Sequence, residues 1–313
     1  MIGRKVTATA PATMANLGVG FDVLGVAFEE PFDTIHAEVV ADSGVQIAEI
    51  TGDGGKLSRD ATKNTAGIAA LYALKLLNVP FGVCLRIEKG LPLASGLGSS
   101  AASAVAAAAA VNALFDSKLD RSGLLAASLE GEAAVSGRHA DNVAPALWGG
   151  IVAATGLTAT EIYSLPVPEM YFALVTPNVA VPTAEARAVL PKQVPLSAMI
   201  QQTAGMALLI HALHTGDVPQ IGAAMERDTV IEPARAHLMP GLHEVRRAAK
   251  ACGAAGTVIS GAGPTLCAVC STRQVAEAVA EAMRAVYVTL GLEASARVTQ
   301  PSLHGATARF VTR

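Results

Sequence analysis

The sequence is short of aromatic rings, of charge and of cysteine, and each shortage removes a class of function. Phe, Trp and Tyr together make up 4% of the 313 residues. That leaves few flat surfaces on which nucleic-acid bases could stack. Charged residues amount to 16%, and the net charge is −3. No basic field exists to attract a polyanion, so nucleic acid is not an expected partner. Four cysteines are present, Cys84, Cys252, Cys267 and Cys270. Cys267 and Cys270 have CxxC spacing, but no second pair and no neighbouring His pair completes a zinc site. They continue an apolar run, which points to buried, reduced thiols. The N-terminus, MIGRKVTATAP, lacks the apolar core of a signal peptide. The alanine-rich tract around residues 101–115 is too short and too weakly apolar for a membrane span. A cytoplasmic protein with no membrane partner is the expectation.

What is present is apolar: 51% of residues are hydrophobic, enough for large buried cores. Residues 6–10 read as a strand stopped by Pro11. Residues 34–40 and 44–50 alternate as strands do. Residues 64–77 carry one broad apolar face, with Pro80 beyond its end, and predict a helix. A strand over 83–88 leads into a glycine loop, and helices follow over 99–115 and 121–134. After a short strand at 151–155, Gly156, Pro166 and Pro168 mark a linker. The second half predicts a strand at 171–176 and helices near 196–215, 218–225 and 242–252. It closes with strands at 256–260 and 265–270, a helix over 273–290 and a strand at 293–298. Strands and helices mix without regular βαβ alternation, so the class is α+β.

The segment GLPLASGLGSSAASAVAAAAA, residues 90–110, carries the chemistry. Glycines before a helix start let a phosphate reach unpaired backbone N–H groups at the positive end of the helix. A bare loop with a serine N-cap would look similar. Gly96 to Ala101 also fits the permissive dinucleotide fingerprint G-x-G-x-x-G/A. Against that reading, residues 91–95 separate the strand from the glycines, where the fingerprint turns tightly. A Walker A motif is absent.

Three ordered stretches account for more residues. They are Ala10-Pro11-Ala12-Thr13-Met14-Ala15-Asn16-Leu17-Gly18-Val19-Gly20-Phe21-Asp22, then Pro92 through Ala101, then Ser260-Gly261-Ala262-Gly263-Pro264-Thr265-Leu266. Together they resemble the motifs of the GHMP kinases. Residues 137–145, 186–191 and 232–235 resemble the branch that phosphorylates homoserine. The resemblance implies a two-domain GHMP kinase fold: an N-terminal mixed sheet with helices over residues 1–160, and a C-terminal ferredoxin-like α/β sandwich over 161–313. It implies ATP as cosubstrate, Mg²⁺, L-homoserine as substrate and, as is common in that family, a homodimer. Other GHMP small-molecule kinases, a dinucleotide-dependent oxidoreductase and a non-catalytic sensor remain as alternatives at this point.

By the same resemblance, Asn64, Pro92, Leu93, Ala94, Ser95, Gly96, Leu97, Gly98, Ser99, Ser100 and Ala101 bind ATP, with Asn64 on the adenine side. Ser100 and Glu130 are the Mg²⁺ ligands. Asn16, Asp22, His139, Asn142, Arg187 and Arg235 hold the substrate. Chemistry supports the last set: a zwitterion needs an anion for its ammonium and a cation for its carboxylate, and arginine is the best bidentate carboxylate partner. Arg187 and Arg235 both stand in Ala-Arg-Ala contexts. Asp141 and Thr183 are candidates for moving the proton and orienting the phosphoryl group, with Asn142 beside them. Asn142 cannot act as a base. Either Asp141 takes the proton or it passes to phosphate or water.

Overall fold

The computed structural model describes residues 1–135 and 137–311. The last two positions of the expected second domain lie outside them. The chain builds two sheets. The first has β1 (Lys5–Ala15), β2 (Leu24–Val40), β3 (Val45–Thr51), β4 (Gly82–Glu88), β5 (Ile151–Ala154), β6 (Ile162–Leu165) and β11 (Thr307–Phe310). Its main order is β11-β1-β2-β4-β3, with β5 on the early part of β2 and β6 outside β5. Among the described residues, only β3 and β4 pair in parallel, because α1 (Thr65–Leu77) crosses over between them.

Strand β1 does not stop at Pro11. It continues to Ala15, and its register against β2 shifts between Pro11 and Thr13. A proline cannot donate to a ladder, so it is tolerated where pairing is already interrupted. The shift carries the strand onward to the Asn16–Asp22 loop.

Helices α2 (Ser99–Leu114) and α4 (Ala140–Trp148) pack on this sheet with α1, and α3 (Arg121–Ala133) packs on those helices. Almost every residue of α2 is buried, as befits a helix apolar on all sides. Its alanines allow close approach. On α3, a Cβ at Gly131 would stand 2.5 Å from the Thr65 carbonyl and 2.9 Å from Ala104 Cβ. Glycine there lets α3 lie against both α1 and α2.

The second sheet is antiparallel, in the order β10 (Ala294–Thr299), β7 (Tyr171–Pro177), β9 (Leu266–Cys270), β8 (Gly256–Ile259). That is the 4-1-3-2 order of a ferredoxin-like sandwich. Between β7 and β8 run α5 (Thr183–Ala188), α6 (Leu196–Thr215), α7 (Val218–Met225), α8 (Ile231–Arg235) and α9 (Leu242–Ala251); α10 (Arg273–Thr289) joins β9 to β10. Helices α9 and α10 pack on one face with Val175, Ala268 and Cys270. The other face, with Phe172, Leu174 and Cys267, shares a core with α6, α7 and the first sheet. Phe28 of β2 meets Phe172 edge-on at 5.2 Å between centroids.

Cys267 and Cys270 therefore point to opposite faces of one strand, the result expected of positions three apart. Burial pushes both thiols up, Cys270 to about 12. The two sheets do not divide at residue 160. That position falls inside the β5–β6 hairpin, and β11 returns from the C-terminal end to pair with β1. Among the described residues, the helix long and apolar enough to cross a membrane, by length and composition, is α6 and not the alanine tract. Its Gln202 side chain donates to the Val19 carbonyl, and Gly205 lies against Val19.

Candidate active site

The glycine loop is braced at both ends before it holds anything. At its start, Asp33 of β2 accepts from the Gly90 and Leu91 N–H groups at 3.0 and 3.2 Å. Lys89 pairs with the same carboxylate and donates to the Ser99 carbonyl at 2.9 Å and to Ser103 Oγ at 2.7 Å. Burial pulls the Lys89 ammonium down from its ordinary range, and Asp33 acts against that pull. Neither partner has a marked sequence neighbourhood, and sequence reasoning missed both.

At the loop's end, Gly98 adopts a left-handed conformation (φ +65°) and α2 begins. No side chain of the described residues caps this helix, and no acid lies in its first turn. Its first N–H groups are thus free to meet an anion. Ser99 Oγ is buried with no hydrogen-bond partner among the described residues. The helix start opens on a cavity of about 390 Å³ lined by Leu93, Ala94, Ser95, Gly96, Gly98, Ser99 and Ser100.

Three members of the expected ATP set do not line this cavity. Leu97 and Ala101 are buried in the core and shape the loop from behind. Pro92 lends its carbonyl to Ser95 Oγ. Asn64 does reach the cavity, but its side chain is engaged at the start of α1. Oδ1 accepts from Ala66 and Gly67 N–H, and Nδ2 donates to the Ser58 carbonyl.

The acidic partner of Ser100 is Glu132, not Glu130. Ser100 Oγ donates to Glu132 Oε1 at 3.0 Å. Glu130 turns away and pairs with Arg138. The reason is helical phase. Leu125, Ser128, Leu129 and Glu132 form the buried face of α3, and position 130 falls off it. Among the described residues, no cluster of three His, Cys, Asp or Glu side chains could hold a metal. A hydroxyl and one carboxylate oxygen beside a phosphate site nonetheless suit Mg²⁺, which takes few protein ligands and shares phosphate oxygens.

On the far side of the loop, side chains from four segments converge on the Gly261 carbonyl. Asn16 accepts from the Asp22 N–H at 3.1 Å and donates to the Gly261 carbonyl at 3.0 Å. Arg187 of α5 grips Asp22 through two bonds of 3.0 and 2.8 Å. His139 Nδ1 lies 3.7 Å from the same carboxylate, and burial holds its pKa below the ordinary histidine range. Arg235 is buried; it donates to the Ala186 carbonyl at 2.9 Å and the Gly261 carbonyl at 3.0 Å. The two guanidinium groups stack near the Phe21 ring at 5.4 and 5.3 Å, a contact worth more when desolvated. Asp141, in the first turn of α4, is buried. Burial, with Asp22 and Glu132 nearby, raises its carboxyl to about 7.

These groups line a second cavity of about 50 Å³, space for a few waters. The two cavities share a wall made of Glu132, Asn142, Thr183, Gly261 and Ala262. The Ser260–Leu266 stretch thus touches both sides, and Ser260 Oγ donates to the Gly96 carbonyl at 2.8 Å. A group held by the glycine loop and a small polar molecule held by Asp22, Arg187 and Arg235 would meet there.

Comparison with known proteins agrees with this geometry. The GHMP kinases N terminal domain matches residues 64–150, and the GHMP kinases C terminal domain matches 209–289. A homoserine kinase of Chlorobaculum tepidum is 41% identical over 297 residues, covering 91% of each chain. The chain belongs to the homoserine kinase branch of the GHMP kinase family. One from Arabidopsis thaliana is 43% identical over 294 residues, 92% of this chain and 80% of that one. The crystal structure of a homoserine kinase from Cytophaga hutchinsonii superposes with a TM-score of 0.93 at 38% identity, covering 97% of both chains. A mevalonate kinase from L. major, 17% identical with a TM-score of 0.73, shares the fold. Membership of this branch removes the oxidoreductase and sensor alternatives.

Proposed function

We propose that the chain is an ATP-dependent kinase that transfers the γ-phosphoryl group to the side-chain hydroxyl of L-homoserine, giving O-phospho-L-homoserine and ADP. The observation that carries this is the shared wall at Asn142 and Thr183, between a phosphate cradle and a pocket charged for a zwitterion.

Phosphoryl transfer depends on positioning and charge neutralisation more than on covalent chemistry. The N–H groups from Gly96 to Ser100 hold the phosphates. Ser100 and Glu132 would hold Mg²⁺, which supplies further neutralisation of phosphate charge. On the other side, Arg187 and Asp22 already satisfy each other. Homoserine enters by exchanging that pair: its carboxylate takes Arg187, with Arg235 behind, and its ammonium takes Asp22, with His139 and Asn16 beside it. A ligand carrying only one of the two charges would leave a partner stranded, which is costly in a half-buried site. Asp141, raised to about 7, is matched to accept the hydroxyl proton near neutral pH. Asn142 and Thr183 orient the transferring group. The division between the domains follows the linker after β6, with the terminal strand β11 returning to the first domain.

A coupled ADP-release assay with homoserine, mevalonate, galactose and shikimate tests the reading. Turnover on homoserine alone is expected. Good turnover on another of these alcohols, with none on homoserine, overturns it.

A further inference from the structure

Thr13 lies between the two ligand sites without lining either cavity. It follows the register shift in β1 and is fully buried. Its N–H donates to the Leu97 carbonyl at 3.1 Å, which ties the strand to the glycine loop. Its hydroxyl donates to Asn142 Oδ1 at 2.7 Å, a normal distance for such a bond. Room for the bond exists because residue 98 has no side chain. A Cβ there would stand 2.0 Å from Thr13 Oγ1 and 2.9 Å from Asn142 Oδ1.

An asparagine amide offers donors on one side and an acceptor on the other, so its orientation decides its chemistry. The Thr13 hydroxyl occupies Oδ1. Nδ2 makes no hydrogen bond to any described residue, and Asn142 lines both cavities. Turned the other way, the amide would set oxygen lone pairs against phosphate oxygens. We propose that Thr13 is a positioning residue for the transfer step: its hydroxyl holds Asn142 with the amide donors facing the moving phosphoryl group. The glycine at 98 then serves two ends, a helix start open to phosphate and space for this bond. The proposal rests on the shared wall being the place of transfer.

The test compares kcat and KM for the wild type, Thr13→Val, Thr13→Ser, Asn142→Ala and the Thr13→Val/Asn142→Ala double variant. Valine keeps the shape and removes the hydroxyl. It should lower kcat about tenfold, the usual scale for one lost orienting hydrogen bond, with both KM values within about threefold. Serine should recover most of the rate. In the Asn142→Ala background, Thr13→Val should cost less than about twofold, because its partner is already gone. An equal loss in both backgrounds, or a serine variant as slow as the valine one, overturns the proposal in favour of a packing role. If Thr13→Val does not fold, Thr13→Ala carries the same comparison. Should the wild type act on another alcohol and not on homoserine, the assigned substrate falls. The same set of variants, assayed on that alcohol, still decides the role of Thr13.

Discussion

The two cavities are built on opposite principles. The phosphate end of the nucleotide side is made mainly of backbone: one loop, Gly96 and Gly98 in the left-handed region and a helix start with no side-chain cap among the described residues. The substrate side is made mainly of side chains drawn from the Asn16–Asp22 loop, the start of α4, α5 and α8, set around the Gly261 carbonyl. Backbone N–H groups suit a phosphate chain that many proteins share. Specific charge placement suits one small zwitterion. The difference predicts that single substitutions strike the substrate side hard and selectively, while the nucleotide side spreads its binding over many weak donors.

The sharpest division should come from Arg187→Ala. It removes one side of a two-bond pair and strands Asp22, so kcat/KM for homoserine should fall about 10³-fold. The KM for ATP should change little. Steady-state kinetics with each substrate varied in turn read this directly, and equal losses for both substrates would break the proposed division.

Asp141→Asn should lower kcat by about 10²-fold, the low end of general-base effects. The wild-type rate should rise with pH through about 7, and the variant should lose that rise. Stability follows the same ionisation with the opposite trend. The folded carboxyl titrates above its unfolded value, so its favourable contribution is complete below about pH 4 and is lost as pH rises through 7. Melting curves should therefore show the wild type losing stability relative to Asp141→Asn between pH 4 and pH 8.

A third comparison lies within α3. Glu132→Gln should lower kcat about 30-fold and raise the Mg²⁺ concentration needed for half-maximal rate, on the scale of losing one charged metal ligand. Glu130→Gln should stay within about twofold of wild type, as an exposed ion pair warrants. A reversal of that order would return the ligand role to Glu130. An effect smaller than that of Glu132→Gln is expected at Ser260→Ala, which removes the bond to the Gly96 carbonyl. The KM for ATP should rise about fivefold, the worth of one net hydrogen bond, with the KM for homoserine little changed.

The same contrast explains what the sequence made legible. A phosphate loop is a local object, so its glycines, serines and following helix could be read from adjacent letters. The ferredoxin-like order of the second sheet was also within reach, because β8, β9, α10 and β10 follow one another closely. The substrate side has no local signature. Arg187 and Arg235 gain meaning only when α5 and α8 fold over Phe21, and their assignment rested on resemblance. Glu132 was recoverable, since the apolar positions 125 and 129 already fix the buried face of α3. The adjacent Glu130 drew attention instead. Strands β11 and β6 stayed hidden because most of their residues are not buried and carry no apolar run, unlike the equally short but buried β5 and β8. Lys89 and Asp33 are 56 positions apart, and nothing local announces a buried pair.

The central claim is that the two cavities meet at one wall, where the phosphoryl group passes. A crystal structure with homoserine and a non-hydrolysable ATP analogue tests it most directly. The account predicts the terminal phosphate on the Gly96–Ser100 N–H groups, the amino-acid carboxylate on Arg187, the ammonium on Asp22, and the hydroxyl facing the phosphate beside Asn142 and Thr183. Homoserine bound elsewhere, or bound with the Arg187–Asp22 pair still closed, would contradict it.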